Sequence, residues 1–307
     1  MTEVKKKKMP LQRVIFIIIF LILPVLNFLI FYVYVNIDAF LMAFQLRNNT
    51  GRLYWTLENF SRLFEDFRTD GEVSLAVVNT IKTFIISIAM FFVGFFVSYF
   101  LYKKIFLHNM LRILLFLPSI IVATLTTTFY KSLVSVDGPL ASFFQAFFRL
   151  DYKPSVLSSD EFANLFVFIN YIWLAVPSNM ILWGGALSRI SDSIVESARL
   201  DGVNEFQEAF KIIIPMVWPT FSLLMLLSIV GLFGATGNVF LLTGGANGTM
   251  TLSVWMYTRV YGQSYGLYPP NGFHYLSAVG LFFTAVSVVI VFVVRRITDK
   301  FFAGVEY

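Results

Sequence analysis

The sequence contains few of the side chains that enzymes use for catalysis or metal binding. It has no cysteine, which excludes disulfides, thiolate metal sites and cysteine nucleophiles. Its two histidines, His108 and His274, lie far apart, and no H-E-x-x-H segment indicates a zinc site. No G-x-x-x-x-G-K-S/T segment is present to hold the phosphates of ATP. We therefore predict a protein that is not an enzyme and that binds no metal or cofactor of its own.

One short window nevertheless concentrates charge. The stretch ESARLDGVNEFQEAFKIIIP, residues 196–215, lies between two long apolar segments. Its charged residues are four acids and two bases: Glu196, Asp201, Glu205, Glu208, Arg199 and Lys211. Such a pattern suits either a solvated helix surface or a contact with another protein.

The composition places this window in a membrane protein. The chain of 307 residues is 58% hydrophobic and 13% charged, and its mean hydropathy is +0.76, whereas soluble domains are about 25% charged. The sequence pI near 9.3 does not indicate nucleic acid, because the basic residues cluster at the ends of the apolar segments. Membrane topology explains basic residues in such positions.

Six apolar segments are long enough to cross a membrane, since a spanning helix needs about 20 residues. They cover residues 14–37, 74–101, 112–132, 162–187, 212–243 and 274–294. With the N-terminus inside, 14 of the 23 Lys and Arg residues are cytoplasmic, and the reverse topology would place the minority inside. We therefore predict an all-α integral membrane protein with six transmembrane helices and both termini in the cytoplasm.

The segments around the spans predict three divisions of the chain. Residues 1–73 hold a cytoplasmic tail, the first span and an outer segment, residues 74–298 form a transmembrane domain of five helices, and residues 299–307 form a tail. Apolar residues at helical spacing predict a short amphipathic helix in the outer segment: Leu57, Phe60, Leu63, Phe64 and Phe67. Residues 244–273 carry GGANG and YPPNG, which predict turns rather than helix.

The charged window falls in the predicted cytoplasmic loop between the fourth and fifth spans, at about residues 190–215. Ser193 and Glu196 are spaced as a capping box for a first helix. Apolar residues on one face of that helix are Ile190, Ile194 and Ala198. Gly202 then favours a helix end, because glycine adopts a positive φ without strain.

A second helix is predicted after this glycine. Asn204 offers an N-cap, and Gln207 at the third position completes a capping box. The apolar residues that follow at helical spacing are Phe206, Ala209, Phe210 and Ile213. Pro215 is expected to interrupt the helix before the fifth span. Two interpretations stay open: the stripe packs on its own bundle, with Glu196 only a cap, or it docks in a groove of a partner protein.

The spacing in this window resembles a known signature. It fits E-A-A-x3-G-x9-I-x-L-P, the loop that marks the permease subunits of bacterial ABC importers. The residues at the defined positions are Glu196, Ser197, Ala198, Gly202, Ile212, Ile214 and Pro215. Ser197 replaces an alanine and Ile214 a leucine, and ARLDG also resembles the A-x-x-D-G form common in carbohydrate permeases.

Further segments resemble the same family, and together they cover about residues 15–300. The matching segments are LENFSRLFED at 57–66, the pair Asn79 and Thr80, FLPSIIV at 116–122, and FLLTGGANGTMTLSVWMYTRVYG at 240–262. The last is similar to the L-T-G-G-G-P segment of the maltose-permease F-type partner, with Ala246 in place of the third glycine and Asn247 in place of the proline. Phe60 stands where the family has tyrosine.

The resemblance implies a mechanism and a set of partners. The loop would be a coupling helix seated in a cleft of a cytoplasmic ATPase, with Glu196 paired to a basic group there. The other loop residues that it marks are Ser197, Ala198, Asp201, Gly202, Phe206, Phe210 and Pro215. The implied assembly contains a homologous G-type permease, two ATPase subunits that bind ATP and Mg²⁺, and an extracellular solute-binding protein. The expected function is import of a sugar or oligosaccharide across a bacterial cell membrane by alternating access.

Polar and aromatic residues in the fourth and fifth spans are candidates for the solute pathway, because sugars bind to polar groups and stack on aromatic faces. They are Asn170, Tyr171, Trp173, Asn179, Trp183, Ser228, Thr236 and Asn238. The alternative is that these side chains form interhelical hydrogen bonds, each worth about 0.6–2 kcal/mol, or interfacial anchors.

Two other functions also fit the sequence. One is an importer of the same architecture for another solute, such as an amino acid or phosphate. The other is an ion-coupled secondary transporter, which relies on ionisable groups within its spans. Lys82 is nearly the only such group here, which weakens this second alternative. A membrane enzyme is disfavoured further, since the spans hold no paired carboxylates and no nucleophile beside a base.

Overall fold

The computed structural model describes residues 10–234, 237–261 and 272–301. The chain divides into two compact units: Met1–Phe64 with Leu267–Phe282, and Glu65–Gly266 with Phe283–Tyr307. The described residues form α-helices α1 Leu11–Phe28, α2 Val35–Ala43, α3 Glu58–Thr69, α4 Gly71–Tyr102, α5 His108–Ile120, α6 Ala123–Val134, α7 Pro139–Phe148, α8 Ala163–Leu187, α9 Asp192–Leu200, α10 Glu205–Glu208, α11 Ile214–Val230, α12 Gly237–Leu242, α13 Leu252–Tyr261 and α14 Gly272–Phe301. Strands β1 Gln45–Arg47 and β2 Leu53–Trp55 form one antiparallel hairpin.

The helices that could cross a membrane overlap the predicted spans. Among the described residues, five helices are long and apolar enough to cross a membrane: Ile15–Ala43, Gly71–Tyr102, Ala163–Leu187, Glu205–Val230 and Gly272–Lys300. A sixth span arises if a bent pair, His108–Ile120 with Ala123–Phe148, is one crossing. The prediction of a largely helical membrane protein is confirmed.

The third span, predicted over residues 112–132, is not one continuous helix. The chain bends by 102° between its two halves. The bend follows Pro118, which lies inside α5 and has no N–H to donate within the helix. Ile121 and Val122 then adopt extended backbone with ψ of 142° and 132°. These β-branched residues end the first half and begin the second.

The prediction of a fifth span over residues 212–243 is also wrong. Helix α10 continues through a π turn, Ala209–Ile213, into α11, so that the span extends from Glu205 to Val230. Pro215 does not interrupt it: this residue lies directly after the π turn, at the start of α11. Glycines end the span instead: a 3₁₀ turn begins at Gly231, and α12 begins only at Gly237.

The segments that were predicted to lie on the outer side contain more regular structure than the sequence indicates. Helix α3 confirms the predicted amphipathic helix, with Leu63 fully buried. The predicted turn at GGANG is present at residues 244–248, whereas α13, Leu252–Tyr261, was not predicted. Of the YPPNG turn, residues 268–271 lie outside the described ranges.

The hairpin β1–β2 in the first unit was not predicted either. Its turn is closed by Asn48, whose side-chain oxygen accepts hydrogen bonds from the backbone N–H groups of Thr50, at 3.1 Å, and Arg52, at 2.9 Å. Gly51 follows with φ of +79°. Helix α3 holds the hairpin through Asn59, whose amide donates to the carbonyl oxygens of Ala43 and Gln45, both at 3.1 Å.

The second unit is built on the contact between α4 and α8. Gly94 of α4 lies against Asn179 of α8 so closely that a Cβ atom at position 94 would overlap the Asn179 side chain. The same unit contains a buried aromatic cluster, to which α4 contributes Phe95, α8 contributes Trp183 and α11 contributes Phe221. These three helices therefore form one packed body.

Candidate functional site

Helix α9 is the first helix of the charged loop, and it presents Glu196 to solvent. It begins after Ser191, so Ser193 lies within its first turn and the predicted capping box of Ser193 with Glu196 is wrong. The two serine hydroxyls, on Ser191 and Ser193, instead lie 2.7 Å apart. Glu196 is exposed and has no ion-pair partner within residues 10–234, 237–261 and 272–301. It is therefore not a cap, and its carboxylate is available to another protein.

Gly202 ends α9 in the manner predicted. Its φ is +75°, and its N–H donates to the Arg199 carbonyl oxygen at 3.1 Å. The N–H of Val203 donates to the Ala198 carbonyl oxygen, also at 3.1 Å. These two bonds are the pair that defines a Schellman motif. Since a positive φ strains other residue types, the glycine fixes the angle between the two loop helices.

The second loop helix begins with the predicted capping box. The backbone N–H of Gln207 donates to Asn204 Oδ1 at 2.8 Å, and the N–H of Asn204 donates to Gln207 Oε1 at 3.2 Å. The helix then continues without a break into the span that ends at Val230. A displacement of the loop is therefore a displacement of this span.

One face of the loop belongs to the core of the spans. Val195, Ala209 and Ile213 are buried in the same cluster as Phe95 of α4 and Trp183 of α8. Ile194, which was predicted on this face, is 37% exposed. The cluster is continuous from the loop into three spanning helices, so the loop is a rigid extension of them.

Other large apolar side chains of the loop, which form its outer face, are exposed. Leu200 is 89% exposed, Phe206 67% and Phe210 54%. The acidic side chains of Glu196 and Asp201 are also exposed. Large apolar side chains that stay exposed beside charged groups are typical of a protein–protein contact.

The other predicted loop residues support this arrangement. Ala198 is buried, and Pro215 is half-buried at the start of α11. The hydroxyl of Ser197 donates to the Ser193 carbonyl oxygen at 2.9 Å. The sequence interpretation missed Glu208, which is buried against Lys103 and Tyr99 at the end of α4. The spacing of the loop gave no signal for that contact, because it joins residues from separate helices.

Two of the predicted pathway residues hold helices together. Asn179 donates to the Met90 carbonyl oxygen at 3.3 Å, and the indole N–H of the fully buried Trp183 donates to the Phe91 carbonyl oxygen at 3.1 Å. Ser228 donates to the Leu224 carbonyl oxygen of its own helix. Thr236 lies outside the described residues.

The other predicted pathway residues have different surroundings. Asn170 is fully buried, and neither its amide oxygen nor its amide nitrogen has a hydrogen-bond partner among the residues that the structure describes. Trp173 is half-buried, with its ring centroid 6.2 Å from that of Tyr130 of α6. Tyr130 belongs to a buried cluster that includes Val239, and Trp173 packs against this cluster. Asn238, the residue before Val239, is half-buried. Tyr171 is half-buried as well.

A second polar region fixes the segment that follows α12. Asn79 of α4 donates to the carbonyl oxygens of Gly248 at 2.7 Å and Met250 at 2.9 Å. Asn164 of α8 also donates to the Gly248 carbonyl oxygen, at 2.7 Å. The Thr80 hydroxyl accepts the backbone N–H of Leu252 at 2.9 Å. In the ranges that the structure describes, no group of three or more acidic or histidine side chains is placed to hold a metal ion.

These features define a helical membrane protein with a rigid helix pair at one end of its spans. The chain belongs to the family described as binding-protein-dependent transport system inner membrane component, which matches residues 86–304. This match includes α8, the loop and all of α14. The protein is therefore a membrane component of a transport system.

Named relatives are similar over different lengths. The polygalacturonan/rhamnogalacturonan transport system permease protein YteP of Bacillus subtilis is 26% identical over 298 residues, which are 92% of this chain and 87% of that protein. The lactose transport system permease protein LacF of Rhizobium radiobacter is 29% identical over 50% of this chain and 53% of its own length. The maltose/maltodextrin permease protein MalF of Escherichia coli K12 is 31% identical over 44% of this chain and 26% of its own length.

A solved structure has the same fold. It is a bacterial ABC transporter involved in the import of the acidic polysaccharide alginate, and it matches with a TM-score of 0.77 at 18% identity, over 94% of this chain and 96% of that chain. A second structure, of bacterial alginate ABC transporter with a periplasmic protein that holds an alginate pentasaccharide, matches with a TM-score of 0.73.

Proposed function

We propose that this chain is the permease subunit of an ATP-driven ABC importer for a sugar or oligosaccharide. The observation that carries the proposal is the loop: its inner face is continuous with the core of three spans, and its outer face exposes apolar and acidic groups. The relatives named for polygalacturonan, lactose and maltose transport support a carbohydrate as the solute.

The outer face of the loop is the docking surface for a cytoplasmic ATPase subunit. Leu200, Phe206 and Phe210 supply apolar area that a groove on the ATPase would bury. Glu196 supplies one negative charge, which a basic group at the rim of that groove would pair. Two such subunits with bound ATP and Mg²⁺ would provide the energy that this chain, without a P-loop, does not provide itself.

The distribution of basic residues supports a cytoplasmic position for the loop. Lys103 contacts Glu208, so the end of α4 that carries Lys103 and Lys104 lies at the loop. Arg189 and Arg199 lie in or next to the loop itself. Lys and Arg at the ends of spans favour the cytoplasmic side.

The solute pathway is proposed to pass Asn170, Trp173 and Asn238. A fully buried amide without partners is costly, and a sugar hydroxyl would satisfy both its donor and its acceptor. Trp173 offers the aromatic face on which a sugar ring stacks. Asn179 and Trp183 are left out of this set because both are engaged in contacts between α4 and α8.

The assembly contains this chain, a homologous second permease, two ATPase subunits and an extracellular solute-binding protein. The test is co-expression with the candidate partners, affinity purification in mild detergent, and ATP-driven uptake in proteoliposomes. Glu196→Ala is expected to insert normally but to co-purify with less ATPase and to lower uptake at least about fivefold. The matched control is Glu205→Ala, which removes another exposed acid of the loop.

Three results would contradict the proposal or parts of it. Unchanged co-purification and uptake in Glu196→Ala would remove the docking role. If the complex took up an amino acid or phosphate but no sugar, the proposed class of solute would be wrong. If uptake persisted without ATP but stopped when an ion gradient was dissipated, the energy source would be that gradient and not ATP.

A further inference from the structure

A buried ion pair joins the loop to the end of α4. Lys103 Nζ lies 2.6 Å from Glu208 Oε2, and the two side chains are only 4% and 1% exposed. Glu208 lies in the second loop helix, while Lys103 is the residue that directly follows α4. The pair therefore connects two elements that are more than 100 residues apart in the chain.

Tyr99 completes this contact. Its hydroxyl lies 3.0 Å from Glu208 Oε1 and 3.0 Å from the carbonyl oxygen of Glu205. The ammonium of Lys103 lies 5.8 Å from the centre of the Tyr99 ring. Both carboxylate oxygens of Glu208 are thus engaged, and we call the three side chains of Tyr99, Lys103 and Glu208 the clamp.

Stability alone does not explain the clamp. Buried ion pairs are often no more stabilising than apolar residues of the same volume, because both charges must leave water. Their best-attested use is to fix one register between two elements. The apolar contacts beside the clamp, such as Phe96 against Phe210 at 5.8 Å between ring centroids, do not fix a register, because apolar attraction has no direction.

The clamp connects the loop with α4, a helix that is not adjacent to the loop in the chain. The second loop helix continues into α11, and the residues before α9 continue from α8, but α4 has no covalent link to the loop. Helix α4 is the one that packs along α8 and holds residues 243–250 through Asn79. The pair of Glu208 and Lys103 is a directional contact that sets the register in which a displacement of the loop reaches α4.

We propose that Glu208, Lys103 and Tyr99 act as positioning residues that transmit the displacement of the loop to α4, so that ATP hydrolysis is coupled to solute movement. The inference rests on the proposed function, in which the loop docks on an ATPase. It adds a set of residues that act after docking, on the inner face of the loop.

The test uses the complete importer, reconstituted with its ATPases and binding protein. Glu208→Gln and Lys103→Met each remove one charge, the double variant Lys103→Glu with Glu208→Lys restores an opposite pair, and Tyr99→Phe removes only a hydroxyl. The matched control is Glu205→Gln, whose side chain is exposed. Three quantities are measured for each: ATPase subunits that co-purify, ATP hydrolysed, and solute taken up per ATP.

We expect Glu208→Gln and Lys103→Met to assemble and hydrolyse ATP while uptake per ATP falls about fivefold or more, as loss of coupling between two sites predicts. The double variant should recover part of this ratio, and Tyr99→Phe should lower it less. Glu205→Gln should match the wild type. A merely structural role would lower assembly and uptake together and leave uptake per ATP in the assembled complex unchanged.

A second measurement is independent of transport. The chain has no cysteine, so spin labels can be placed at two introduced cysteines, one at the exposed control position Glu205 on the loop and one at Ile81 on α4. If the clamp moves the loop and α4 together, the distance between the labels should stay constant between the nucleotide-free and the nucleotide-trapped complex, and it should change in Glu208→Gln. If Glu208→Gln does not assemble, Tyr99→Phe and the reversed pair decide by the same ratio.

The possible failures are distinguishable. The role of the clamp alone would be overturned if both single-charge variants keep the wild-type uptake per ATP. If Glu208→Gln fails to assemble, it would be overturned by a wild-type ratio in Tyr99→Phe together with no recovery in the reversed pair. Absence of ATP-driven uptake by the wild-type complex would overturn the proposed function, and the role of the clamp with it.

Discussion

The contact between Gly94 and Asn179 permits a sharp test of how α4 and α8 are packed. A Cβ atom added at position 94 would overlap the Cβ atom of Asn179 and would also lie 3.4 Å from its Cγ atom. The overlap is with a backbone-proximal atom, which cannot move away by rotation of the side chain. Gly94→Ala should therefore force the two helices apart.

The cost can be estimated from three contributions. Overpacking of this kind costs about 1–3 kcal/mol. Separation of the helices also weakens the hydrogen bonds from Asn179 to Met90 and from Trp183 to Phe91, worth about 0.6 kcal/mol each. Alanine gains about 0.5–1 kcal/mol over glycine within a helix. The net loss of unfolding free energy is then about 1–3 kcal/mol.

The measurement is thermal unfolding in detergent, followed by the loss of helical circular dichroism. The matched control is Gly184→Ala in α8, where an added Cβ has no atom within 4 Å, so the same change should raise stability slightly. In the Asn179→Ala background, which keeps the Cβ atom, Gly94→Ala should cost about as much as before. In the Asn179→Gly background the cost should largely disappear. Equal costs in both backgrounds, or no cost at all, would refute the packing argument.

Two further substitutions test the turn of the loop and the anchor of residues 243–250. Gly202→Ala should lower the unfolding free energy by about 1–2 kcal/mol, because alanine is strained at a φ of +75°. Gly202→Asn should lower it less. Thermal unfolding and co-purification of the ATPase are measured for both variants. Equal stability of the alanine and asparagine variants would contradict this reason. Asn79→Ala removes two hydrogen bonds, worth about 1–3 kcal/mol together, and should speed hydrogen exchange around Gly248 more than Asn164→Ala, which removes one. Faster exchange in Asn164→Ala than in Asn79→Ala would exclude Asn79 as the main anchor.

The loop is the part of the candidate site that the sequence predicts best, because its structure is determined by neighbours in the chain. The glycine turn at Gly202 and the capping box of Asn204 with Gln207 form as expected. Each depends on hydrogen bonds that span three to five residues, so the local pattern contains the whole signal. The failed box at Ser193 shows the limit, since the helix begins directly after Ser191, two residues earlier than the spacing predicted.

The ends and breaks of the spans were predicted less well, because hydropathy reports where a chain is apolar but not whether its helix is continuous. Pro118 lies inside α5, and the break falls after it, at Ile121 and Val122. Pro215 was read as a break, and the helix passes through it. Which of two prolines breaks a helix depends on the surrounding turns, here the π turn before α11, and not on the proline alone.

Contacts between distant segments were outside the reach of the sequence pattern. The pair Asn79 and Thr80 and the GGANG segment were each noted separately, and nothing in either predicts that they bind each other. In the structure Asn79 lies 169 residues from its acceptor at Gly248. The same limit applies to Glu208, whose partners Tyr99 and Lys103 lie on another helix.

The contact of Asn79 also explains how this chain accommodates Asn247 where the resemblance expects a proline. Asn247 has φ of +54°, which asparagine tolerates but which the ring of proline, fixed near −65°, cannot adopt. Its side chain in turn donates to the Leu157 carbonyl oxygen at 2.8 Å. The bonds from Asn79 and Asn164 end on backbone carbonyl groups, so they do not depend on which side chains the segment carries. Helices α4 and α8 can therefore hold this segment while its backbone follows a path that a proline would forbid.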